Sequence, residues 1–172
     1  MMRIEVLQGL IFLWPDTANK HFKKALENAE GDGSPNNISI VCRYKYNGGA
    51  VFSWFGDLET EFMESIHDSI ELVKSSVIFA PHHGRKSGSL PKAWLKDLEP
   101  KIIVVGEAPS QHLEYYQDYN TIKQNSAGDI TFDCTDKKIH IYCSQKGYSE
   151  SFLADEKMDD IDDGYYIGTL KL

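Results

Sequence analysis

Hydrophobic and polar positions recur along this chain with two periods, and the alternation between them predicts a layered α/β domain. An apolar first run, up to about residue 14, is interpreted as a strand. Apolar positions at helical spacing then predict a helix over about 16–30, begun by a capping Asp or Thr. Residues 37–46 alternate with a period of two, which predicts a half-buried strand. Asn47-Gly48 is a strong hairpin signal, so 50–55 is the expected return strand.

The second half of the chain continues the alternation. A helix is predicted over about 60–74, followed by a short apolar run at 77–80 that is typical of a strand buried on both faces. A helix that ends at about residue 98 and a buried strand at 101–105 repeat this order of helix and strand. Two strand-like segments, 130–134 and 139–143, flank a polar turn and predict an antiparallel hairpin.

Composition sets the boundaries of the expected domain. The chain has 172 residues, of which 41% are hydrophobic, and this is enough to bury the core of one domain. We assign residues 1–145 to that domain. Residues 146–172 are rich in acidic side chains, and we expect them to form a flexible, solvated tail.

Charge and cysteine content exclude some classes of function. The formal net charge of −8 argues against a general nucleic-acid coat protein, because such proteins neutralise phosphates with clustered Lys and Arg, although a local basic pocket stays open. The three cysteines form neither a paired disulfide framework nor a CxxC metal motif, which favours a reducing compartment. Arg3, Glu5 and Gln8 interrupt the first apolar run, so we expect neither an export signal nor membrane association. A cytoplasmic location follows as the expectation.

Two short motifs place metal-type ligands after predicted buried strands. Phe55-Gly56-Asp57 ends one strand, and Pro81-His82-His83-Gly84 ends the next. Binding sites in α/β folds are built at the carboxyl ends of strands. A Gly-Asp after a strand is also typical of a turn that caps a helix, and a histidine pair is also typical of a polar loop. The order of the two motifs, one helix apart, favours the ligand interpretation.

Taken in order, several segments resemble successive motifs of metallo-β-lactamase-fold hydrolases, in particular the subgroup found in DNA-uptake competence proteins. The segments are Asn36-Asn37-Ile38-Ser39-Ile40-Val41, Phe55-Gly56-Asp57-Leu58-Glu59 and Ala80-Pro81-His82-His83-Gly84. Residues 100–105 and 127–130 also resemble the family's later strand and terminal hairpin, so the likeness covers roughly residues 10 to 145. It implies the C-terminal half of an αββα sandwich: a mixed sheet, flanking helices and a C-terminal hairpin.

The resemblance also implies a catalytic metal site. In such a hydrolase Asp57 would bridge two cations about 3.5–4 Å apart, and His82 or His83 would hold the second. Zinc and manganese both suit these ligands. We expect one histidine to ligate while the other contacts substrate or a neighbouring group, because adjacent residues on an extended segment point in opposite directions. Which of the two ligates stays open.

Positive and hydroxyl-bearing side chains follow the histidine motif directly. Arg85 and Lys86 are expected to meet the charge of a phosphate, and Ser87 to donate a hydrogen bond to it. His112 follows the strand that ends near residue 105 and is expected at a similar edge. Arg85, Lys86 and Ser87 favour a phosphoester or nucleic-acid substrate, and therefore phosphodiesterase activity, over a lactam, and His112 is expected to reach the same substrate.

The N-terminal His-x-His-x-Asp-His cluster of the family is absent, and His21 is the only histidine before Asp57. Zinc takes about four ligands, so we expect this chain alone to bind metal weakly. Three interpretations stay open: part of a hydrolase completed by an N-terminal half polypeptide, a non-catalytic interaction or scaffold module, and a subunit completed by a second copy. A half sandwich exposes a sheet edge and an apolar face, so self-association is expected.

Overall fold

A six-stranded mixed sheet is the centre of the fold in the computed structural model, which describes residues 9–106 and 115–172. Its strands lie side by side in chain order, β1 to β6. β2 is antiparallel to both of its neighbours, β1 and β3, and β3 to β6 are parallel. The bounds are β1 Leu10–Trp14, β2 Val41–Lys45, β3 Val51–Trp54, β4 Val77–Phe79, β5 Ile102–Val105 and β6 Thr121–Lys123.

Three helices pack on one face of this sheet. They are α1 Lys20–Glu30, α2 Thr60–Ser65 and α3 Lys92–Leu98, and a one-turn helix, α4 Gln124–Ala127, follows β6. Phe22, Met63 and Trp94 project from the three helices into one buried cluster with sheet residues Ile78 and Ile103. Burying these large apolar side chains is what attaches the helices to the sheet.

A three-stranded antiparallel sheet covers the other face. It contains β7 Ile130–Thr135, β8 Lys138–Cys143 and β9 Tyr165–Lys171, in that order. Ile139 and Ile141 of β8 share a buried cluster with Val77, Ile102 and Val104 of the six-stranded sheet. The described residues therefore form three layers: helices, mixed sheet and antiparallel sheet.

The expected fold class is confirmed at this level. The mixed sheet, the flanking helices and the antiparallel hairpin β7–β8 are all present. In addition, none of the helices among residues 9–106 and 115–172 is long and apolar enough to cross a membrane.

The helix expected over 60–74 is shorter than its apolar spacing predicted. It ends at Ser65, and a single 3-10 turn, His67–Ser69, follows. Ile66 and Ile70 are both buried, so these apolar side chains still pack in the core although the helix ends before them. Asp68 and Ser69 disfavour a helix interior because their side chains compete for backbone hydrogen bonds.

The acidic segment also differs from the flexible tail that composition suggested for 146–172. Tyr165–Lys171 pairs with β8 as an edge strand of the second sheet, and Ile167 and Leu170 are buried. The acidic side chains precede this strand, whereas the strand itself carries the apolar residues. Burial of these residues outweighs the acidic composition of the segment as a whole.

Candidate functional site

The two motif loops emerge side by side from neighbouring parallel strands. Trp54, the last residue of β3, pairs with Phe79, the last residue of β4. Asp57 and the histidine pair follow these two strands directly. The backbone N–H of His82 donates to the carbonyl of Gly56 at 2.9 Å, which ties one loop to the other. The carboxyl edge of the sheet therefore brings both motifs together, as their sequence positions predicted.

Asp57 and His83 line one pocket of about 210 Å³ at this edge. Asp57 is half-buried and His83 is exposed. The pocket walls also include Trp54, Phe79, Val104, Gly106 and Gln124. Gln124 was not among the residues predicted for the site, because it follows β6, a short strand that the hydrophobic pattern does not predict.

The histidine turn has an unusual backbone. His82 (φ 49°, ψ 42°) and His83 (φ 58°, ψ 15°) are both left-handed, and Gly84 follows with φ 85°. Residues with a Cβ rarely adopt this conformation, and it concentrates at functional sites. The expectation that these residues lie on an extended segment was therefore wrong.

The two histidine side chains nevertheless have different surroundings. His83 faces the pocket that it shares with Asp57. The Nδ1 atom of His82 lies 3.2 Å from the Ser87 hydroxyl. The turn thus places one imidazole beside Asp57 and the other beside the residues that follow the motif.

The segment 36–39 supports the loop that carries Asp57. Gly56 has φ 54°, and a Cβ there would lie 2.5 Å from the Ser39 Cβ, so the close approach requires glycine. The Ser39 hydroxyl accepts from the Asp57 N–H at 3.1 Å. Asn37 makes two bonds to Glu59: its Nδ2 donates to the carboxylate at 2.9 Å, and its Oδ1 accepts from the backbone N–H at 3.0 Å. These contacts fix the backbone on both sides of Asp57.

The end of β5 packs closely against the histidine turn. A Cβ at Gly84 would lie 2.6 Å from Val105 Cγ1, and a Cβ at Gly106 would lie 3.2 Å from the Cα and Nδ1 of His83. The absence of side chains at both positions lets the turn pack directly on the strand. His83 is therefore held in place by its backbone surroundings.

The expected substrate-binding residues lie in a different groove. Arg85, Lys86 and Ser87 line a cavity of about 900 Å³ together with acidic residues of α2 and its flank. Its remaining lining residues are Glu59, Thr60, Glu61, Glu64, Ser89 and Tyr115. Ser87, which lies beside His82, lines this groove, whereas His83 lines the Asp57 pocket. His112, the fourth residue, lies outside the described residues.

The described residues of the pocket supply too few donors for a complete metal site. Within residues 9–106 and 115–172, no three His, Cys, Asp or Glu side chains come together in a group that could hold a metal ion. Asp57 and His83 supply two donors, whereas zinc takes about four. His21 lines a separate pocket with Asn37 and Glu59 and does not join them. On their own, the described residues do not form a complete metal site.

No model of a known protein family matches the sequence, and no curated protein matches it either.

Proposed function

We propose that this chain is one half of a metal-dependent hydrolase of the metallo-β-lactamase fold, acting on a phosphoester or nucleic acid. The observation that carries the proposal is the shared pocket of Asp57 and His83 at the carboxyl ends of β3 and β4. A carboxylate and an imidazole in one pocket are ligand types that zinc and manganese both accept. The order of layers, from helices to mixed sheet to antiparallel sheet, supports the assignment to half of an αββα sandwich.

The strained histidine turn supports a functional role for this pocket. Two consecutive left-handed residues with side chains cost stability, and such strain concentrates at functional sites. The contacts from Ser39 and Asn37 hold the opposing loop rigidly. Fixed ligands on short, supported loops are what a metal site requires.

The neighbouring groove supports an anionic substrate. Arg85 and Lys86 are exposed beside the histidine turn, where they can pair with phosphate oxygens. Glu61 and Glu64 line the same groove, so a phosphate would be drawn to its Arg85 end. The groove and the pocket border the same four-residue turn, which allows one substrate to contact both.

The missing ligands must come from outside the described residues. In this proposal they are supplied by another polypeptide segment that docks at the carboxyl edge of the sheet. The alternative is a non-catalytic interaction or scaffold module, which is favoured by the lack of a third ligand among the described residues.

Metal binding by the purified chain separates these two functions. The chain is dialysed to equilibrium against zinc, and bound metal is measured by plasma mass spectrometry for the wild type, Asp57→Ala and His83→Ala. His21→Ala is the matched control, because His21 lies in another pocket. Zinc bound by the wild type and the control, and lost from both site variants, supports the hydrolase proposal. An absence of zinc from the wild type, or its retention in Asp57→Ala, would leave the scaffold function.

A further inference from the structure

Two segments of opposite charge line the groove of about 900 Å³ beside the histidine turn. Glu61 and Glu64 belong to α2, whereas Arg85 and Lys86 follow the histidine turn. All four side chains are exposed. The ion pairs formed within residues 9–106 and 115–172 involve other side chains. The groove therefore offers an anionic segment and a cationic segment to one ligand.

Hydrogen bonds hold these two segments together at the base of the groove. The Thr60 hydroxyl, at the start of α2, lies 2.8 Å from the Ser89 carbonyl oxygen and 3.1 Å from that of Ser87, and it donates to this segment. The Tyr115 hydroxyl donates to the Leu90 carbonyl at 3.1 Å, which ties a third element to the same segment. Backbone contacts thus fix the groove before any ligand binds, and such preorganisation lowers the cost of binding.

Tyr115 adds an aromatic ring to the acidic part of the groove. Tyr115 and Glu64 line this groove together, and both also line an adjoining pocket of about 530 Å³. The ring is 43% exposed, so a ligand can reach it. Partial burial, and then the neighbouring Tyr119 and Glu64, raise the pKa of the Tyr115 hydroxyl, which keeps it neutral. A carboxylate beside a neutral aromatic ring is a favourable environment for an ammonium group.

From these observations we propose that the groove binds a small phosphodiester that carries an ammonium group, with the phosphate at its Arg85 end and the ammonium at its Glu64 end. The inference deepens the proposed function and rests on it, because it treats the groove as the place where the substrate lies. Among the substrates of that proposal it selects a dipolar phosphodiester and not a nucleic acid.

A nucleic acid suits this groove less well than a dipolar ligand does. Phosphates recur along a strand, so a strand that follows the groove would bring phosphates against Glu61 and Glu64, where like charges repel. The net charge of −8 opposes a polyanion further. A ligand with one phosphate and one ammonium instead meets the opposite charge at each end.

The test compares two matched phosphodiesters by NMR titration of the backbone amides of the full chain, in the presence of EDTA. Glycerophosphoethanolamine carries the ammonium group, and glycerophosphoglycerol has the same phosphodiester without it. We expect the amides of residues 60–64 and 85–89 to shift with both esters. The dissociation constant should be roughly fivefold lower for glycerophosphoethanolamine. Ethanolamine alone and a single-stranded tetranucleotide should both bind more weakly than this ester.

Two variants separate the ends of the groove. Glu64→Gln should remove the preference between the two esters, and Arg85→Gln should weaken the binding of both. Glu27→Gln and Lys23→Gln are the matched controls, because these exposed residues of α1 change the net charge by the same amounts outside the groove. The preference should persist in both controls. The amide spectrum of each variant verifies that it is folded.

A lipid headgroup and a soluble ester share this chemistry, and vesicles distinguish the two sources. Sedimentation of the chain with phosphatidylethanolamine vesicles, but not with phosphatidylglycerol vesicles, would support the proposal with a lipid as the source. Binding of the soluble ester alone would support it with a soluble substrate.

The remaining outcomes divide the inference from the proposed function. Equal dissociation constants for the two esters, or a preference that persists in Glu64→Gln, would overturn the ligand class and leave the metal-ligand role of Asp57 intact. Tighter binding of the tetranucleotide at the same amides would overturn it in favour of a nucleic acid. EDTA makes the titration independent of metal. A preference for the ammonium ester, together with no zinc binding in the dialysis experiment, would support the groove and overturn the hydrolase.

Discussion

At the scale of single residues, the left-handed conformation of His83 is the clearest cost in the candidate site. A residue with a Cβ pays about 1–2 kcal/mol for this conformation, and glycine pays far less. We therefore expect His83→Gly to be more stable to unfolding than His83→Ala by about 1 kcal/mol, although both lack the imidazole. Urea denaturation of the two variants measures the difference. If His83→Ala were the more stable, the turn would not be strained.

Asn37 should contribute more to stability than its neighbour Asn36. Asn37 makes two hydrogen bonds to Glu59 at 2.9 and 3.0 Å, whereas Asn36 reaches the same carboxylate at 3.4 Å. We expect Asn37→Ala to lower the free energy of unfolding by about 1–3 kcal/mol, since it leaves a part-buried backbone N–H without its acceptor. Asn36→Ala is the control and should lose less than half as much. Equal losses in urea denaturation would mean that the support of the Asp57 loop is distributed differently.

The sequence predicted the types of residue at the site better than their conformations. Asp57 and His83 were candidates because they follow buried strands, and strand order alone then places them at one edge. The left-handed histidine turn had no counterpart in the pattern, since positive φ is uncommon for histidine. The same turn places Arg85 in the groove and not in the Asp57 pocket, so the hydrophobic pattern could not predict that position either.

At the scale of elements, β9 is the test of whether the acidic C-terminal segment belongs to the fold. Leu170 is buried against the core of the second sheet, and Lys171 beside it is exposed. We expect Leu170→Ala to lower the free energy of unfolding by about 2–4 kcal/mol. Lys171→Ala should change it by less than about 0.5 kcal/mol, because its backbone contacts remain. Thermal or urea unfolding distinguishes this result from a flexible tail, in which both substitutions would be neutral.

Most elements followed from periodicity, and the exceptions have physical causes. Strands β2 to β5 and β7 and β8 appear where alternation or short apolar runs placed them. In β9 the alternation is broken by Gly168 at φ 138° and by a shift of register near Ile141, so no simple period marks it. The apolar spacing over 60–74 predicted one continuous helix, but these residues form the short helix α2 followed by a 3-10 turn.

At the scale of the whole molecule, the two faces of the mixed sheet are covered unequally. Helices cover one face, and on the other the second sheet stops at β7, short of β1. Within residues 9–106 and 115–172, the β1 end of this face carries the exposed Phe12, and the Asp57 pocket lies at the carboxyl edge of β3 and β4. A polypeptide segment that docks at this edge of the sheet would supply the donors that residues 9–106 and 115–172 lack.

If Asp57 and His83 bind zinc, as proposed, the metal should stabilise the folded chain. A ligand that binds only the folded state stabilises it by about 2.7 kcal/mol at a hundred times its dissociation constant. We therefore expect the thermal midpoint of the wild type to rise in excess zinc and that of Asp57→Ala to stay unchanged. His21→Ala is the control and should respond like the wild type, because His21 lies in another pocket. Differential scanning calorimetry with and without zinc measures the shift. A rise of equal size in Asp57→Ala would place the zinc site elsewhere.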